Sequence, residues 1–271
     1  MRVRHVAALA LACLPLAGQQ SSVKEATLGK RLAAEFRQRT TPIDSPPVQN
    51  YVAGLGQRLA AQMPGAMLPF TFSVIVDDLC RPMHEPAALP GGYVFVPAAL
   101  LLTAQDEGEL AGMLAHAMGH IEQRHGNRQV TQGMLMNVAP MPITFAASCG
   151  GESGQAVPQT IAASERQIEL EADRLAVQAM ADAGFDPKVL LRYIRRVQPD
   201  DAALSKVSYE APAVLPRARR IAALEQAVGK LPARRFSSGA SLGPMQEEVR
   251  RVLPPAALPK DDAPTLRSGG R

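Results

Sequence analysis

The sequence contains no tryptophan, and only 4% of its 271 residues are aromatic. It also lacks a recognisable nucleic-acid-binding signature. The formal net charge of +4 comes largely from arginine clusters at 192–196, 217–220, 234–235 and 250–251. Such clusters could contact nucleic acid or an anionic membrane surface, but with so few aromatic residues we interpret them as solvated helix faces. We therefore expect no nucleic acid among the partners of this protein.

Long apolar runs are missing as well, because no stretch after the first twenty residues is long enough to span a membrane. The N-terminus has basic residues among its first five, followed by an apolar stretch from Val6 to Ala17. This order is typical of a secretory signal peptide, so we expect residues 1–18 to be removed near Ala17 or Gly18 on export. A short buried helix is the alternative. The triplet Leu11-Ala12-Cys13 resembles a lipoprotein site, although Ala10 stands where leucine is usual.

Cysteine is scarce, with three residues in the whole chain. Removal of the signal peptide would leave Cys80 and Cys149, and an oxidising compartment would permit a disulfide between them. Two independent buried thiols fit the sequence equally well. Both alternatives stay open at this point.

The rest of the chain shows a largely helical pattern with two short strand-like segments. We expect a domain over residues 22–230 and a largely disordered tail rich in proline, alanine and serine over 231–271. Hydrophobic periodicity, capping residues and proline positions predict helices at 22–39, 48–63, 98–102, 106–126, 164–183, 187–197, 216–228 and 246–252, and strands at 68–76 and 93–96.

Two histidines lie one helical turn apart in the segment from Asp106 to Gly126. Asp106 precedes Glu109 by three residues, which is typical of a capped helix start. His116 and His120 then share one edge of the helix, where two imidazoles can bind one metal ion. In the zinc motif H-E-x-x-H the residue after the first histidine is a general base, but here it is Ala117. Two partly exposed histidines without a metal are the alternative.

A zinc site needs a third protein ligand, and a second predicted helix offers one. Glu169 and Asp173 are four residues apart and so share a helix face. One carboxylate could bind the metal while the other accepts a hydrogen bond from a ligand histidine. An exposed acidic helix face is the alternative interpretation of the pair.

Several motifs follow one another at defined spacings. They are Leu89-Pro90-Gly91-Gly92-Tyr93-Val94-Phe95-Val96, Glu109 to His116, Met118-Gly119-His120, Arg124-His125, Glu169 to Leu175 and Ala183 to Pro187. In this order the chain resembles, over residues 22–228, the soluble exported zinc metallopeptidases related to HtpX and the CAAX prenyl protease. The resemblance implies a mainly α fold with a small β-sheet, an α+β zincin-like metallopeptidase domain. It also implies zinc-dependent endoproteolysis in the bacterial periplasm or cell envelope.

Carried over to this chain, the resemblance implies one zinc ion bound by His116, His120 and Glu169, with Asp173 hydrogen-bonded to a ligand histidine. The segment Gly91, Gly92, Tyr93 and Val94 would be the edge along which an extended polypeptide substrate pairs. The expected partner is therefore a polypeptide in an extended conformation, with possible peripheral association with the envelope.

Three departures from the family pattern occur at the same predicted site. Ala117 replaces the family glutamate, and Glu85 stands where the family has asparagine. Near Val214 to Pro216 the family often has a His-Pro pair whose histidine approaches the zinc, but no histidine follows His125 in this chain. We therefore expect a zinc-binding pseudoenzyme with impaired or lost proteolysis. One alternative is an active endopeptidase, acting on misfolded or envelope proteins, in which Glu85 is the substitute base. Another is an otherwise active enzyme into which Ala117 was introduced, but the other two departures favour natural divergence.

Overall fold

A computed structural model describes residues 16–63, 69–76, 84–123, 159–198, 215–237 and 239–253. Cys13, Cys80 and Cys149 lie outside these residues, and so do most of the expected signal peptide and the whole segment 124–158. The disulfide and the lipoprotein site therefore stay predictions.

Helices dominate the described part of the chain, and four short strands form one sheet. This confirms the predicted fold class, mainly α with a small β-sheet. Within the described residues no helix has the length and apolar character that a membrane-spanning segment needs. The elements are α1 Leu16–Arg39, β1 Thr41–Pro42, α2 Pro46–Ala60, β2 Thr71–Val76, β3 Ala87–Leu89, a 3₁₀ turn Pro90–Gly92, β4 Tyr93–Pro97, α3 Ala98–Thr103, α4 Glu107–Glu122, α5 Gln159–Asp182, α6 Lys188–Val197, α7 Arg217–Gly229 and α8 Gly243–Val252.

The sheet has the strand order β1-β2-β4-β3. Its two central strands, β2 and β4, are parallel, with Thr71 opposite Tyr93, while each edge strand pairs antiparallel with its neighbour. The sequence predicts both central strands, β2 from alternating hydrophobicity and β4 from a short apolar run between Gly91-Gly92 and Pro97. The edge strands span two and three residues, which is too short for alternation to be recognised.

Alternation along the central strands gives the sheet two apolar faces. Val74, Val94 and Val96 pack into the main hydrophobic core. The intervening residues belong to a second cluster that α1 covers from the other side, where the rings of Phe36 and Phe95 lie 4.5 Å apart between centroids. The sheet is therefore buried between α1 and the main core.

Glycine shapes the turn that leads into β4. Gly91 and Gly92 have φ angles of 82° and 91°, a region that residues with a Cβ rarely adopt. A Cβ at Gly92 would also lie 2.2 Å from the carbonyl oxygen of Pro69. The Gly-Gly pair thus fixes where β3 ends and β4 begins.

Helix α4 begins at the residue that the sequence indicated. The Asp106 carboxylate caps the helix by accepting a hydrogen bond of 3.0 Å from the Glu109 amide. Glu109 is fully buried, and its carboxylate accepts from the Gln105 amide and from Arg192 and Arg196 of α6. These bonds fasten the start of α4 to α6.

Helices α4 and α5 approach closely at Gly119. A Cβ at this position would lie 3.0 Å from the Cα of Ala172 and 2.9 Å from its carbonyl oxygen. Because both are backbone atoms, they could not move aside as a flexible side chain could. The absence of a side chain at Gly119 therefore sets the distance between the two helices beside the histidine pair.

The helix predicted at 246–252, within the segment expected to be largely disordered, is present as α8. Val249 of α8 is fully buried, and the Gln246 amide donates to the carbonyl oxygens of Leu101 and Ala104 at 2.9 and 2.8 Å. These bonds satisfy carbonyl groups at the end of α3 that have no partner within the helix. Residues 254–271 lie outside the described part of the chain.

Candidate metal centre

Helix α4 places its two histidines side by side. The Nε2 atoms of His116 and His120 are 3.1 Å apart, and the rings meet edge to face with centroids 4.7 Å apart. His116 is 4% exposed, whereas His120 is partly exposed. The alternative of two partly exposed histidines does not describe His116.

Helix α5 adds a carboxylate to this pair. The oxygens of Glu169 lie 3.6 Å from the Nε2 of His116 and 3.7 Å from the Nε2 of His120. Within the described residues, these three side chains are the group that could hold a metal ion, with ligand atoms all within 4.8 Å of one another. The structure thus brings together the three side chains predicted as ligands, whose role in binding stays a prediction.

The donor set and its spacing fit zinc. Two ligand atoms at about 2.0–2.1 Å from one tetrahedral zinc ion lie roughly 3.3 Å apart. The observed separations of 3.1, 3.6 and 3.7 Å are close to that value. Two histidines and one glutamate are also a common ligand set of catalytic zinc.

Asp173 lies one turn after Glu169 and fixes the orientation of His116. Its Oδ1 is 2.8 Å from the Nδ1 of His116, so a neutral imidazole donates its proton there. The lone pair of Nε2 then faces His120 and Glu169, as metal binding requires. Both carboxylates are buried, at 2% and 6% exposure, so an exposed acidic helix face is the wrong interpretation of this pair.

Arg220 of α7 completes the site, and the sequence analysis did not identify it. Its Nε and Nη2 donate to the two carboxylate oxygens of Asp173 at 2.8 and 2.9 Å, which makes a bidentate ion pair. Nη1 lies 3.5 Å from the carboxylate of Glu85, and Nη2 lies 3.9 Å from that of Glu169. One guanidinium group therefore contacts all three carboxylates around His116.

The interpretation of residues 217–220 as a solvated cluster is wrong for Arg220, which is 3% exposed. The position of Arg220 relative to the apolar residues of the helix could have indicated that it is buried. Arg220 and Leu224 are four residues apart and share the buried face of α7. An arginine in register with the apolar face of a predicted helix needs a buried partner.

Asp173 and Arg220 stay ionised in the buried site because each stabilises the charge of the other. Burial alone would raise the pKa of Asp173, but the charge of Arg220 and hydrogen bonds from His116 and Arg220 hold it well below its usual value. Burial alone would lower the pKa of Arg220, but Asp173, Glu169 and Glu85 raise it above the usual value. Both groups are therefore charged at neutral pH, even without a metal.

The remaining predicted site residues lie in three places. Ala117 is 1% exposed and packs in the main hydrophobic core. Glu85 lies in the segment before β3, next to Arg220, and is not a member of the three-residue metal group. Gly91 and Gly92 form the turn between β3 and β4, and Tyr93 and Val94 begin β4. Because β4 pairs with β2 on one side and with β3 on the other, the prediction of this segment as a substrate-pairing edge is wrong.

Comparison with known proteins identifies the family. A model described as Peptidase family M48 matches residues 48–228, which is more than half of the chain. The chain belongs to peptidase family M48. M48 proteins are zinc-dependent metallopeptidases, so the His-His-Glu group lies in a chain whose family uses such a metal. The N-terminal helix α1 and the C-terminal helix α8 lie outside the match.

Relatives that are similar to this chain occur in bacteria, a fungus and a plant. A Vibrio cholerae protein provisionally named beta-barrel assembly-enhancing protease is 31% identical over 199 residues, covering 68% of this chain and 40% of its own length. The beta-barrel assembly-enhancing protease of Escherichia coli K12 is 26% identical, covering 67% and 39%. Mitochondrial metalloendopeptidase OMA1 of Schizosaccharomyces pombe is 25% identical, covering 65% and 52%. The M48 chain described here thus spans about two fifths to one half of the length of these three relatives.

Proposed function

We propose that this M48 protein binds one zinc ion through His116, His120 and Glu169 but has impaired or lost peptide-bond hydrolysis. The observation that carries the proposal is the complete ligand group in a chain with alanine at position 117, directly after His116, where the H-E-x-x-H motif has glutamate. Zinc is proposed because the ligand spacing fits it and because the family is zinc-dependent.

The contribution of each residue follows from its contacts. Bound zinc supplies a Lewis acid and makes a bound water more acidic. Asp173 keeps the proton of His116 on Nδ1, which leaves Nε2 free to bind the metal. The methyl group of Ala117 cannot accept a proton from water. Loss of a general base commonly lowers the rate by about 10² to 10⁴, so only weak activity is expected.

The alternative of an active enzyme requires Glu85 to take over as the base. Glu85 is near the site, but its carboxylate lies 3.5 Å from the guanidinium of Arg220 and outside the ligand group. This pairing favours an electrostatic role for Glu85. In the active-enzyme alternative, the wild type cleaves protein substrates and Glu85→Ala abolishes that cleavage.

We propose an extended polypeptide as the client, pairing along the edge strand β3, Ala87–Leu89, which directly precedes the Gly91-Gly92 turn. We also propose that the protein is exported to the periplasm or cell envelope, as its basic and then apolar N-terminus suggests. Two relatives carry beta-barrel assembly in their names, and an unassembled strand is a client of this extended kind. The narrower relation to the exported HtpX-like branch is part of the same proposal.

Zinc content tests the site directly. The purified chain is expected to hold one zinc ion, and His116→Ala, His120→Ala and Glu169→Ala are expected to lose it, as measured by metal analysis after dialysis. Glu171→Ala, two residues from Glu169 on the same helix, is the matched control and should keep its zinc. A wild type that purifies without metal and cannot be loaded with zinc would contradict the proposed function.

A further inference from the structure

We propose that Glu85 is a positioning residue of the metal centre, which holds Arg220 away from Glu169 so that Glu169 stays available to the metal. The inference rests on the proposed zinc site. It gives Glu85 a role in metal affinity that does not involve accepting a proton.

Three carboxylates lie around the guanidinium group of Arg220. Asp173 occupies its Nε and Nη2 atoms with bonds of 2.8 and 2.9 Å. The other end, Nη1, lies 3.5 Å from Glu85, while Nη2 lies 3.9 Å from the Oε2 of Glu169. The same Oε2 is 3.6 Å from the Nε2 of His116. Arg220 and a metal would therefore compete for one oxygen of Glu169.

Formal charge gives the expected direction. Glu85, Glu169 and Asp173 are three carboxylates around the single guanidinium of Arg220, so these groups carry a net charge of −2. That charge suits a divalent cation. Neutralising Glu85 would leave −1 and would free the Nη1 end of a buried arginine that is only 3.9 Å from Glu169. Arg220 would keep Asp173 as a partner, but its buried Nη1 end would lack a counter-charge, so the guanidinium would move towards Glu169 and weaken metal binding.

A hydrogen bond from α6 holds the segment that carries Glu85. The hydroxyl of Tyr193, a fully buried residue, donates to the carbonyl oxygen of His84 at 2.9 Å. The ring of His84 is in turn 3.2 Å from the hydroxyl of Thr103. Burial, followed by the charge of Glu85, raises the pKa of Tyr193 well above its usual value, so the hydroxyl keeps the proton that it donates. Tyr193 thus acts on Arg220 through the position of Glu85.

The test is the zinc dissociation constant, measured by competition with a chromophoric chelator. Glu85→Gln is expected to bind zinc about 10-fold more weakly, which is the low end of the effect of altering a group behind a ligand. Glu225→Gln is the matched control, because Glu225 lies on α7 with Arg220 but pairs with Arg195 at the surface. Its zinc affinity should be that of the wild type. Equal affinities of Glu85→Gln and the wild type would overturn the proposal.

Two further measurements separate positioning from general destabilisation. Tyr193→Phe removes only one hydroxyl and should also weaken zinc binding, while the double variant should bind no more weakly than Glu85→Gln alone. Strictly additive losses would contradict a shared route through Arg220. Glu85→Asp keeps the charge and should restore part of the affinity, and the visible spectrum of bound cobalt should change in Glu85→Gln because Glu169 is disturbed.

The results distinguish the two proposals. A wild type that binds no zinc overturns the proposed function and the role of Glu85 with it. A wild type that binds zinc, together with a Glu85→Gln variant of equal affinity and unchanged cobalt spectrum, overturns only the role of Glu85.

Discussion

Asp173 performs two tasks with one carboxylate. It accepts the Nδ1 proton of His116, and it accepts hydrogen bonds from the Nε and Nη2 atoms of Arg220. All three side chains are at most 4% exposed. Removing the charge of Asp173 would leave the buried guanidinium of Arg220 without its main partner. Water could not replace that partner, because the site is buried.

Asp173→Asn is expected to lower the free energy of unfolding by about 3 kcal/mol, the low end for breaking a buried pair, because Glu85 still faces Arg220. Urea unfolding in the presence of chelator measures this without a contribution from metal. Asp182→Asn is the matched control on the same helix, since Asp182 pairs with the half-exposed Arg234 and should cost less than about 1 kcal/mol. Similar losses in both variants would contradict the importance assigned to the buried pair.

The candidate site could be predicted only in part from single residues. The spacing of His116 and His120, and of Glu169 and Asp173, indicates helix faces that can meet at a metal. Arg220 was missed because it lies among exposed arginines, and only its register with Leu224 marks it as buried. The contact between Glu85 and Arg220 joins segments 135 positions apart, and no local pattern encodes it.

At the scale of elements, the packing of α4 against α5 sets the geometry of the three-residue ligand group. The two helices carry all three side chains, and Gly119 lies at their closest approach, one residue before His120. A side chain at this point would separate the helices at the place where the ligands must converge.

Gly119→Ala is expected to destabilise the protein by about 1–3 kcal/mol and to weaken zinc binding, because its Cβ would lie 3.0 Å from the backbone of Ala172. Gly54→Ala is the control, and its expected effect on stability is opposite, a stabilisation. Gly54 is an exposed residue of α2, and no atom lies within 4 Å of the position that a Cβ would take there, so alanine should stabilise the helix by about 0.5–1 kcal/mol. Thermal unfolding and zinc titration of both variants check the pair. Unchanged zinc affinity in Gly119→Ala would argue against the role assigned to this contact.

The sequence predicts the larger elements well and the smallest ones poorly. The helix capped by Asp106 and the strand that begins at Tyr93 are encoded locally, the helix by its capping residue and the strand by a short apolar run between Gly92 and Pro97. The strands Thr41–Pro42 and Ala87–Leu89 form only because β2 and β4 offer them backbone partners. Pairing between distant segments is a tertiary effect, and two or three residues carry no periodic signal of it.

At the scale of the whole molecule, stability is expected to fall as the solution is acidified below neutrality. Burial, together with the charge of Arg196, lowers the pKa of His84 from 6.5 to about 4. Between these values the unfolded chain binds a proton on this imidazole and the folded chain does not. Acidification through this range therefore favours unfolding.

The shift corresponds to a loss of about 3 kcal/mol between pH 7 and pH 4, at 1.36 kcal/mol for each pKa unit. Urea unfolding across this range in chelator measures the total slope, to which carboxylates also contribute. His84→Asn is the comparison, because an amide could keep the contact with Thr103 but does not titrate. The variant should show a shallower loss on acidification, and an identical slope would contradict the assignment to His84.

The account of the whole molecule depends on one claim, that the metal ligands are retained and proteolysis is impaired because the general base at position 117 is missing. The most direct test is the rate of casein cleavage by zinc-loaded Ala117→Glu, compared with Ala117→Gln, whose side chain has the same size but cannot act as a base. Ala117→Glu should cleave about 10² to 10⁴ times faster than Ala117→Gln and the wild type, and chelator should abolish the difference. A folded, zinc-loaded Ala117→Glu that cleaves no faster than Ala117→Gln would contradict the claim.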